Sequence, residues 1–186
     1  MNFNKHWELE GKHAFLSASQ YHWINYDVDR LISAYKNYKA KEHGTRLHAF
    51  ACEAIQLGIR LSNSKRTIYR YVNDAIGFGM TPELILYYSE NCFGTADSIS
   101  FDGTQLRIHD LKTGKTPASF HQLEIYAALF CLEYDVNPTE IDIFLRIYQL
   151  DDVLEEQPDP EVILSIMDTI IEFDKIINEL RKEGLS

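Results

Sequence analysis

A two-residue turn between two alternating segments is the feature that most constrains the fold of this chain. Asp102-Gly103 is typical of a type I′ hairpin turn, because both central positions of that turn need positive φ. A turn centred there places Phe101 opposite Thr104 and Asp97 opposite Ile108. Side chains alternate along a strand, so one face of the predicted hairpin collects a mixed set of residues. Its members are Asp97, Ile99, Phe101, Leu106, Ile108, Asp110 and Lys112.

This face of the hairpin is mostly apolar, and the pattern therefore predicts that it is buried. Carboxylates on a buried face are costly unless a cation or a hydrogen-bonding partner compensates them. The sequence thus predicts a divalent metal ion near Asp97 and Asp110, with the ammonium of Lys112 close by.

Helical periodicity surrounds the hairpin on both sides. Ser17 or Ser19 is a candidate cap for a first helix that runs toward Lys41, and Gly44-Thr45 is a candidate start of a second. Further predicted elements are a helix over 68–76, strands over 83–88, 93–99 and 104–111, a helix over 120–134 and a strand over 141–148. A last helix is predicted to begin at Pro160. Its predicted inward-facing residues are Ile163, Met167, Ile170, Ile171 and Ile177. This order predicts an α/β (α+β) fold, a mixed sheet flanked by N- and C-terminal helices, in a single domain over residues 1–186.

Composition limits the class of protein. The chain has 186 residues, 45% of them hydrophobic and 25% charged, and it contains no apolar run of membrane-spanning length. The first six residues lack the apolar core of a signal peptide. Three widely spaced cysteines fit buried thiols better than a disulfide framework. We therefore expect a cytoplasmic protein that does not span a membrane.

The net charge of −10 is unevenly distributed along the chain. Residues 151–186 carry eleven acidic and three basic side chains, whereas residues 30–70 carry nine basic and two acidic ones. Tyrosines 35, 38, 69 and 71 are interleaved with this basic stretch. Such a stretch is able to follow a phosphate backbone and to stack bases, although a solvated helical face has the same composition.

Four short motifs follow one another along the chain: Gly44-Thr45-Arg46-Leu47-His48, Gly94-Thr95-Ala96-Asp97, Asp110-Leu111-Lys112-Thr113-Gly114 and Gln122-Leu123-Glu124-Ile125-Tyr126-Ala127. In residues and order they resemble the motifs of the RecB-like, Q-x-x-x-Y branch of the PD-(D/E)XK nucleases. The flanking segments resemble small phage-encoded proteins of this type.

The resemblance implies a restriction-endonuclease-like fold, Mg²⁺ or Mn²⁺ as cofactor, and hydrolysis of DNA phosphodiester bonds in an exonuclease or end-processing reaction. Asp97, Asp110 and Lys112 would be catalytic, and the metal ligands would be His48, Asp97, Asp110 and the carbonyl of Leu111. Gln122, Tyr126 and Lys115 would contact the single- or double-stranded DNA. A homo-oligomer or a recombination-protein partner is a further expectation.

Each of these residues also has a purely structural interpretation. Asp97 would cap a turn, Asp110 and Lys112 would form an exposed ion pair, and His48 and Tyr126 would be core residues. At the level of the whole protein, one alternative is a catalytically silent binding protein with a nuclease fold. Another is a small zinc protein that uses His43, His48, His109 and His121.

Overall fold

The structure, a computed structural model, describes residue 7 and residues 14–183. The first six residues, on which the absence of a signal peptide is argued, lie outside the described residues. The chain divides into two compact units, residues 1–45 and 46–186, and the division falls inside the first long helix. The assignment of a single domain stays a prediction.

The second unit is built on one mixed five-stranded sheet. Its strands lie in sequence order, and neighbours are antiparallel except β3 and β4, which are parallel because helix α3 connects them. The predicted α+β architecture, a mixed sheet flanked by helices, is confirmed. The strands are β1 (Thr81–Ser89), β2 (Cys92–Phe101), β3 (Gln105–Leu111), β4 (Asp142–Gln149) and β5 (Asp152–Glu156); the helices are α1 (Val28–Gln56), α2 (Thr67–Gly77), α3 (His121–Tyr134) and α4 (Pro160–Lys182).

Two hydrophobic clusters cover the two faces of the sheet. Side chains alternate along β3, so Leu106 and Ile108 face one cluster and Leu111 faces the other. The first cluster includes Leu123 and Ala127 of α3 and Ile163 of α4, all fully buried. The second cluster combines residues 51–55 at the end of α1 with Tyr71, Val72 and Ala75 of α2 and with Tyr148 of β4.

The two predicted N-terminal helices are replaced by a 3-10 segment (Ala18–Asn25) and the single helix α1. The hydroxyls of Ser17 and Ser19 bond to each other at 2.8 Å, and Ser17 makes no side-chain cap bond. Instead, Asp27 Oδ1 accepts from the N–H of Arg30 at 2.7 Å, as an N-cap does. Gly44 does not end α1, because one glycine in a helix interior costs only about 1 kcal/mol.

The hairpin is present, but its predicted register is wrong by two residues. Phe101 pairs with Leu106 and Ile99 with Ile108, so four residues rather than two lie between the last paired residues of the hairpin. The Asp102 carboxylate explains the wider loop, since its Oδ1 accepts from the N–H and hydroxyl of Thr104 and from the N–H of Gln105 at 2.8–3.0 Å. A slip of two residues keeps the faces of the paired residues 98–101 and 106–109 as predicted.

A two-residue turn occurs instead between β4 and β5, and strand β5 itself was not predicted from the sequence. Leu150 and Asp151 both have positive φ, 52° and 60°, between the paired residues Gln149 and Asp152. This backbone geometry is the one required by a type I′ turn. The turn is stabilised by Thr67, whose N–H and hydroxyl both donate to Asp151 Oδ1.

The last helix begins at Pro160, as predicted, with Asp159 as its cap. Ile163, Met167 and Ile170 pack inward, but the inward placement of Ile171 and Ile177 is wrong, because these side chains are 43% and 38% exposed. Among the described residues, no helix is both long enough and apolar enough to span a membrane.

Candidate metal centre

Asp97 lies in the middle of β2, at the point where the pairing of β2 with β3 stops. The last backbone pair between these strands is Ser98 with His109, and beyond it Asp97 Oδ2 accepts from the N–H of Leu111 at 2.8 Å. The carboxylate thus stands in for a backbone acceptor where the two strands diverge. Asp97 therefore bonds to a strand residue fourteen positions away, rather than capping a local turn as the structural interpretation requires.

His48, near the end of α1, lies against Asp97. Its Nδ1 is 3.4 Å from Asp97 Oδ2, and both side chains are partly exposed. The hydrogen bond to Asp97 raises the pKa of His48 above its usual value against the opposing effect of burial, and the negative charges of Asp97, Glu83 and Asp110 add to this rise. These interactions stabilise the protonated form of His48 relative to that of a free histidine.

Glu83 of β1 is the functional candidate that the sequence reasoning missed. His48, Glu83 and Asp97 each offer a ligand atom, and these three atoms lie within 4.8 Å of one another. Burial and the charge of Asp97 raise the pKa of Glu83. The pairing of β1 with β2 explains its position, although no residue pattern reveals it: Pro82 pairs with Ser98 and Leu84 with Ala96, which leaves Glu83 opposite Asp97.

A backbone irregularity brings Glu83 to this position. Its φ is +51°, a region that costs a non-glycine residue about 1–3 kcal/mol. On β2, Ala96 and Ile99 belong to the same cluster although they are three positions apart, whereas Ser98 contacts Met80 in the other cluster. The alternation of faces is thus interrupted in both strands beside Asp97.

Asp110 lies deeper, with only 2% of its surface exposed. Its Oδ1 accepts from Lys112 Nζ at 3.0 Å, whereas its buried Oδ2 has no hydrogen-bond partner. Burial and the negative charge of Asp97 raise the pKa of Asp110 to about 6, although Lys112 acts in the opposite direction. The exposed ion pair of the structural interpretation is excluded by this burial.

Lys112 begins a chain of hydrogen bonds that reaches helix α3. Its Nζ donates to Gln122 Oε1 at 2.8 Å, and Gln122 Nε2 donates to the hydroxyl of Tyr126 at 2.9 Å. Gln122 and Tyr126 are four residues apart and so lie on one helical face. The half-buried ring of Tyr126 packs on Gly94, where an added Cβ would lie 2.8 Å from Tyr126 Cε1. Gly94 is therefore needed for this close approach.

The loop that joins β3 to α3 is held by a buried glutamine. Gln149 Nε2 donates to the carbonyls of Gly114 and Thr116 at 2.8 Å, and Gln149 Oε1 accepts from the N–H of Ala118. Lys115 is exposed on this loop. The side chain of Leu111 is buried in the second cluster, and the ligand role of its carbonyl stays a prediction.

The remaining histidines of the second unit have other environments. His109 is fully buried against Tyr148 and Phe78; burial and the cations of Arg146 and Arg107 lower its pKa to about 3. His121 lies 2.9 Å from Glu124. In the part of the chain that the structure describes, the only cluster of potential metal ligands is that of His48, Glu83 and Asp97, which does not support the zinc alternative.

The chemistry of these residues fits a hard divalent cation. Mg²⁺ and Mn²⁺ prefer carboxylate oxygens, and an imidazole nitrogen suits Mn²⁺. The cluster supplies one exposed carboxylate, one partly exposed carboxylate and one imidazole. The unpartnered oxygen of Asp110 is not among these clustered ligand atoms, and its role as a metal ligand stays a prediction. Buried Tyr71 is under the same negative potential, since burial and then the charge of Asp97 raise its pKa. A cation would offset this accumulated charge.

Comparison of the chain with family models, with curated proteins and with solved structures finds no match.

Proposed function

We propose that this protein is a metal-dependent nuclease that hydrolyses DNA phosphodiester bonds. The observation that carries the proposal is the environment of Asp110. This buried carboxylate has one oxygen on Lys112 and one without a partner, and its pKa responds to the charges of Asp97 and His48. Asp97 and Asp110 lie on neighbouring strands of a mixed sheet, and Lys112 follows Asp110 by two residues. This arrangement resembles the site of the RecB-like branch of the PD-(D/E)XK nucleases, which have a restriction-endonuclease-like fold.

The residues that would hold Mg²⁺ or Mn²⁺ are His48, Glu83, Asp97 and Asp110, with the carbonyl of Leu111 as a further ligand. When bound, such ions lower the pKa of water and stabilise the negative charge that develops on a phosphate. Asp97 Oδ2 lies 2.8 Å from the N–H of Leu111 and 3.4 Å from Nδ1 of His48, so this carboxylate is held at the position where it would share an ion with His48 and Glu83. The acids must be ionised to act as ligands, which favours neutral and alkaline pH.

Lys112 would act directly on the reacting groups. Its ammonium is held by Asp110 and Gln122 at 3.0 and 2.8 Å, so two acceptors fix its position beside the acids. From there it would orient the attacking water and stabilise charge on the scissile phosphate. Gln122 and Tyr126, already hydrogen-bonded to each other, would contact a neighbouring phosphate or terminal nucleotide. Lys115, exposed on the next loop, would contact the DNA backbone.

The test is digestion of linear and circular DNA, each single- and double-stranded, with Mn²⁺, Mg²⁺ or EDTA. We expect cleavage with either ion, none with EDTA, and a preference for linear DNA if the enzyme works from ends. Asp110→Asn should abolish cleavage. Asp142→Asn is the matched control, because Asp142 is an exposed acid on the adjacent strand β4.

Undiminished digestion by Asp110→Asn would disprove the proposed site. Binding of DNA by the wild-type protein without cleavage under all of these conditions would instead support the alternative of a catalytically silent binding protein. Glu83→Gln tests the residue that the sequence reasoning missed. It should weaken Mn²⁺ binding, whereas Glu53→Gln, which alters an exposed acid of α1, should not.

A further inference from the structure

The first unit contains a pocket of its own, with a volume of about 680 Å³. The lining residues that the structure describes all fall within 14–41. The walls are aromatic on several sides, and polar groups lie at a few positions. The residues used below are Phe15, Trp23, Tyr26, Asn37, Tyr38 and Lys41.

The aromatic walls are held in place by contacts within this unit. Trp23 Nε1 donates to the carbonyl of Ser17 at 2.8 Å. The ring of Phe15 lies 5.3 Å from that of Tyr38, and the guanidinium of Arg30 lies 4.6 Å from the centre of the Tyr26 ring. A pocket with fixed rings requires little reorganisation when a flat ligand enters.

The charge of the pocket favours an anionic ligand. Lys41 lines it, and none of its described lining residues is acidic. Arg30 and Lys36 lie on the same helix, whereas the ammonium of Lys39 is paired with the carboxylate of Glu42 at 2.8 Å. An apolar ligand alone would not use the ammonium of Lys41 or the amide of Asn37, which both donates and accepts hydrogen bonds.

The size of the pocket suits a nucleotide, since small-molecule sites are about 300–1,000 Å³ in volume. Flat aromatic walls stack on any nucleobase, an amide pairs with a base edge, and a lysine binds phosphate. We propose that this pocket binds one unpaired nucleotide, with the base between the rings and the phosphate on Lys41. The proposal rests on the proposed function for the choice of a nucleic-acid strand as the source of that nucleotide.

Trp23 allows the pocket to be observed directly. The chain has two tryptophans, so Trp7→Phe leaves Trp23 as the only one. We would titrate this variant, in EDTA so that no cleavage occurs, with thymidine monophosphate, a twelve-nucleotide oligothymidylate and a blunt duplex of the same length. We expect the oligothymidylate to quench Trp23 fluorescence and the duplex to leave it unchanged. Tighter binding of the oligothymidylate than of the monophosphate identifies a strand as the source, and equal affinity identifies a free nucleotide.

Matched variants distinguish the loss of base stacking from the effect that a substitution elsewhere on the helix would have. Tyr38→Ala should weaken binding roughly 5- to 150-fold, the loss of one stacked base. Tyr35→Ala is the control, because Tyr35 is on the same helix, is similarly exposed and also contacts Phe15 at 5.2 Å, but does not line the pocket. Lys41→Gln should weaken binding and reduce its salt dependence, whereas Lys36→Gln should do so less. Circular dichroism would show whether each variant folds.

Equal losses for the two tyrosine variants, or saturation by the oligothymidylate without a change in Trp23 fluorescence, would overturn the proposal. The pair of lysine variants keeps the test decisive if Tyr38→Ala does not fold. Failure of this pocket and failure of the nuclease proposal are distinguishable, because the titration needs no cleavage and the digestion assay does not depend on Trp23.

Discussion

At the scale of single residues, Asp110 combines features that are unfavourable for stability. It is buried, one oxygen lacks a partner, and its pKa of about 6 lies above the unfolded value of 3.8. The folded protein therefore keeps a proton that the unfolded chain has already released between these two pH values. Consequently, the contribution of Asp110 to the free energy of unfolding falls as the pH rises from about 4 to about 6, and it stays low above that range.

We therefore predict that Asp110→Asn stabilises the metal-free protein at pH 7, by at most about 3 kcal/mol. The difference from wild type should shrink as the pH falls and vanish below about pH 4, where Asp110 is protonated in both states. Urea unfolding in EDTA at several pH values measures this. Asp142→Asn should show no such pH dependence, and a destabilised Asp110→Asn at pH 7 would contradict the prediction.

Lys112 leads to a kinetic prediction. Lys112→Met should retain Mn²⁺ binding at pH 8, where Asp110 is ionised, but lose about 10²- to 10³-fold in the rate of cleavage. Calorimetry and single-turnover digestion measure the two effects separately. Lys115→Met removes the same charge from the exposed loop and should affect the apparent affinity for DNA more than the rate. A parallel loss of metal affinity and rate in Lys112→Met would argue against a water-orienting role.

The sequence placed Asp110 beside Lys112 because residues two apart on a strand share a face, and Lys112 Nζ is indeed 3.0 Å from Asp110 Oδ1. It did not predict the position of Glu83, because the approach of Glu83 to His48 depends on a positive φ inside a strand. Glutamate disfavours that conformation, so no residue pattern predicts it. Burial distinguishes Asp110 from an exposed ion-pair residue, and burial depends on tertiary packing.

At the scale of elements, Gly94 couples strand β2 to helix α3. A Cβ at this position would lie 2.8 Å from the ring of Tyr126, so Gly94→Ala should displace the ring and disturb its bond to Gln122. We expect a loss of about 1–3 kcal/mol in the free energy of unfolding, together with slower cleavage. Thermal or urea denaturation and the digestion assay measure these effects.

Gly114→Ala is the control for this prediction, because a Cβ there meets nothing within 4 Å. Adding Tyr126→Leu to Gly94→Ala should recover part of the stability without restoring the rate. Equal stability of the two alanine variants would show that the contact between Gly94 and Tyr126 is not tight.

Among the elements, helices α2, α3 and α4 and strands β1 to β4 follow from periodicity and from Pro160. The hairpin register and strand β5 do not. Asp102 uses its side chain to widen one turn, whereas Leu150 and Asp151 adopt positive φ without a glycine. The conformations of these two turns are determined by hydrogen bonds and strand pairing rather than by the intrinsic turn preferences of the residues. Helix α1 likewise continues through Gly44, although glycine is a weak helix former and its presence predicted a helix boundary there.

At the scale of the whole molecule, the net charge of −10 coexists with a local excess of basic residues. If residues 65, 66 and 70 contact DNA phosphates, each contact releases condensed counterions on binding. Replacing Lys65, Arg66 and Arg70 with Gln should then reduce the slope of log affinity against log salt by about 0.7–0.9 per lost contact. Fluorescence anisotropy with labelled DNA, in EDTA at several salt concentrations, measures the slope.

Replacement of Lys175, Arg181 and Lys182 in α4 by Gln changes the net charge by the same amount. This second triple variant should leave the salt slope almost unchanged, since its residues lie in the acidic C-terminal segment. Equal slopes for both variants would remove residues 65–70 from the interface and assign the effect to the overall charge.

The positive φ of Glu83 has a consequence for laboratory evolution. A library sorted only for heat tolerance should accumulate replacements at position 83, preferably glycine or asparagine, because these residues relieve the backbone cost without any benefit from the carboxylate. A library sorted for survival through cleavage should retain glutamate there. Positions that differ between the two sorted populations would thus identify the residues that function requires, without any prior assumption about the substrate.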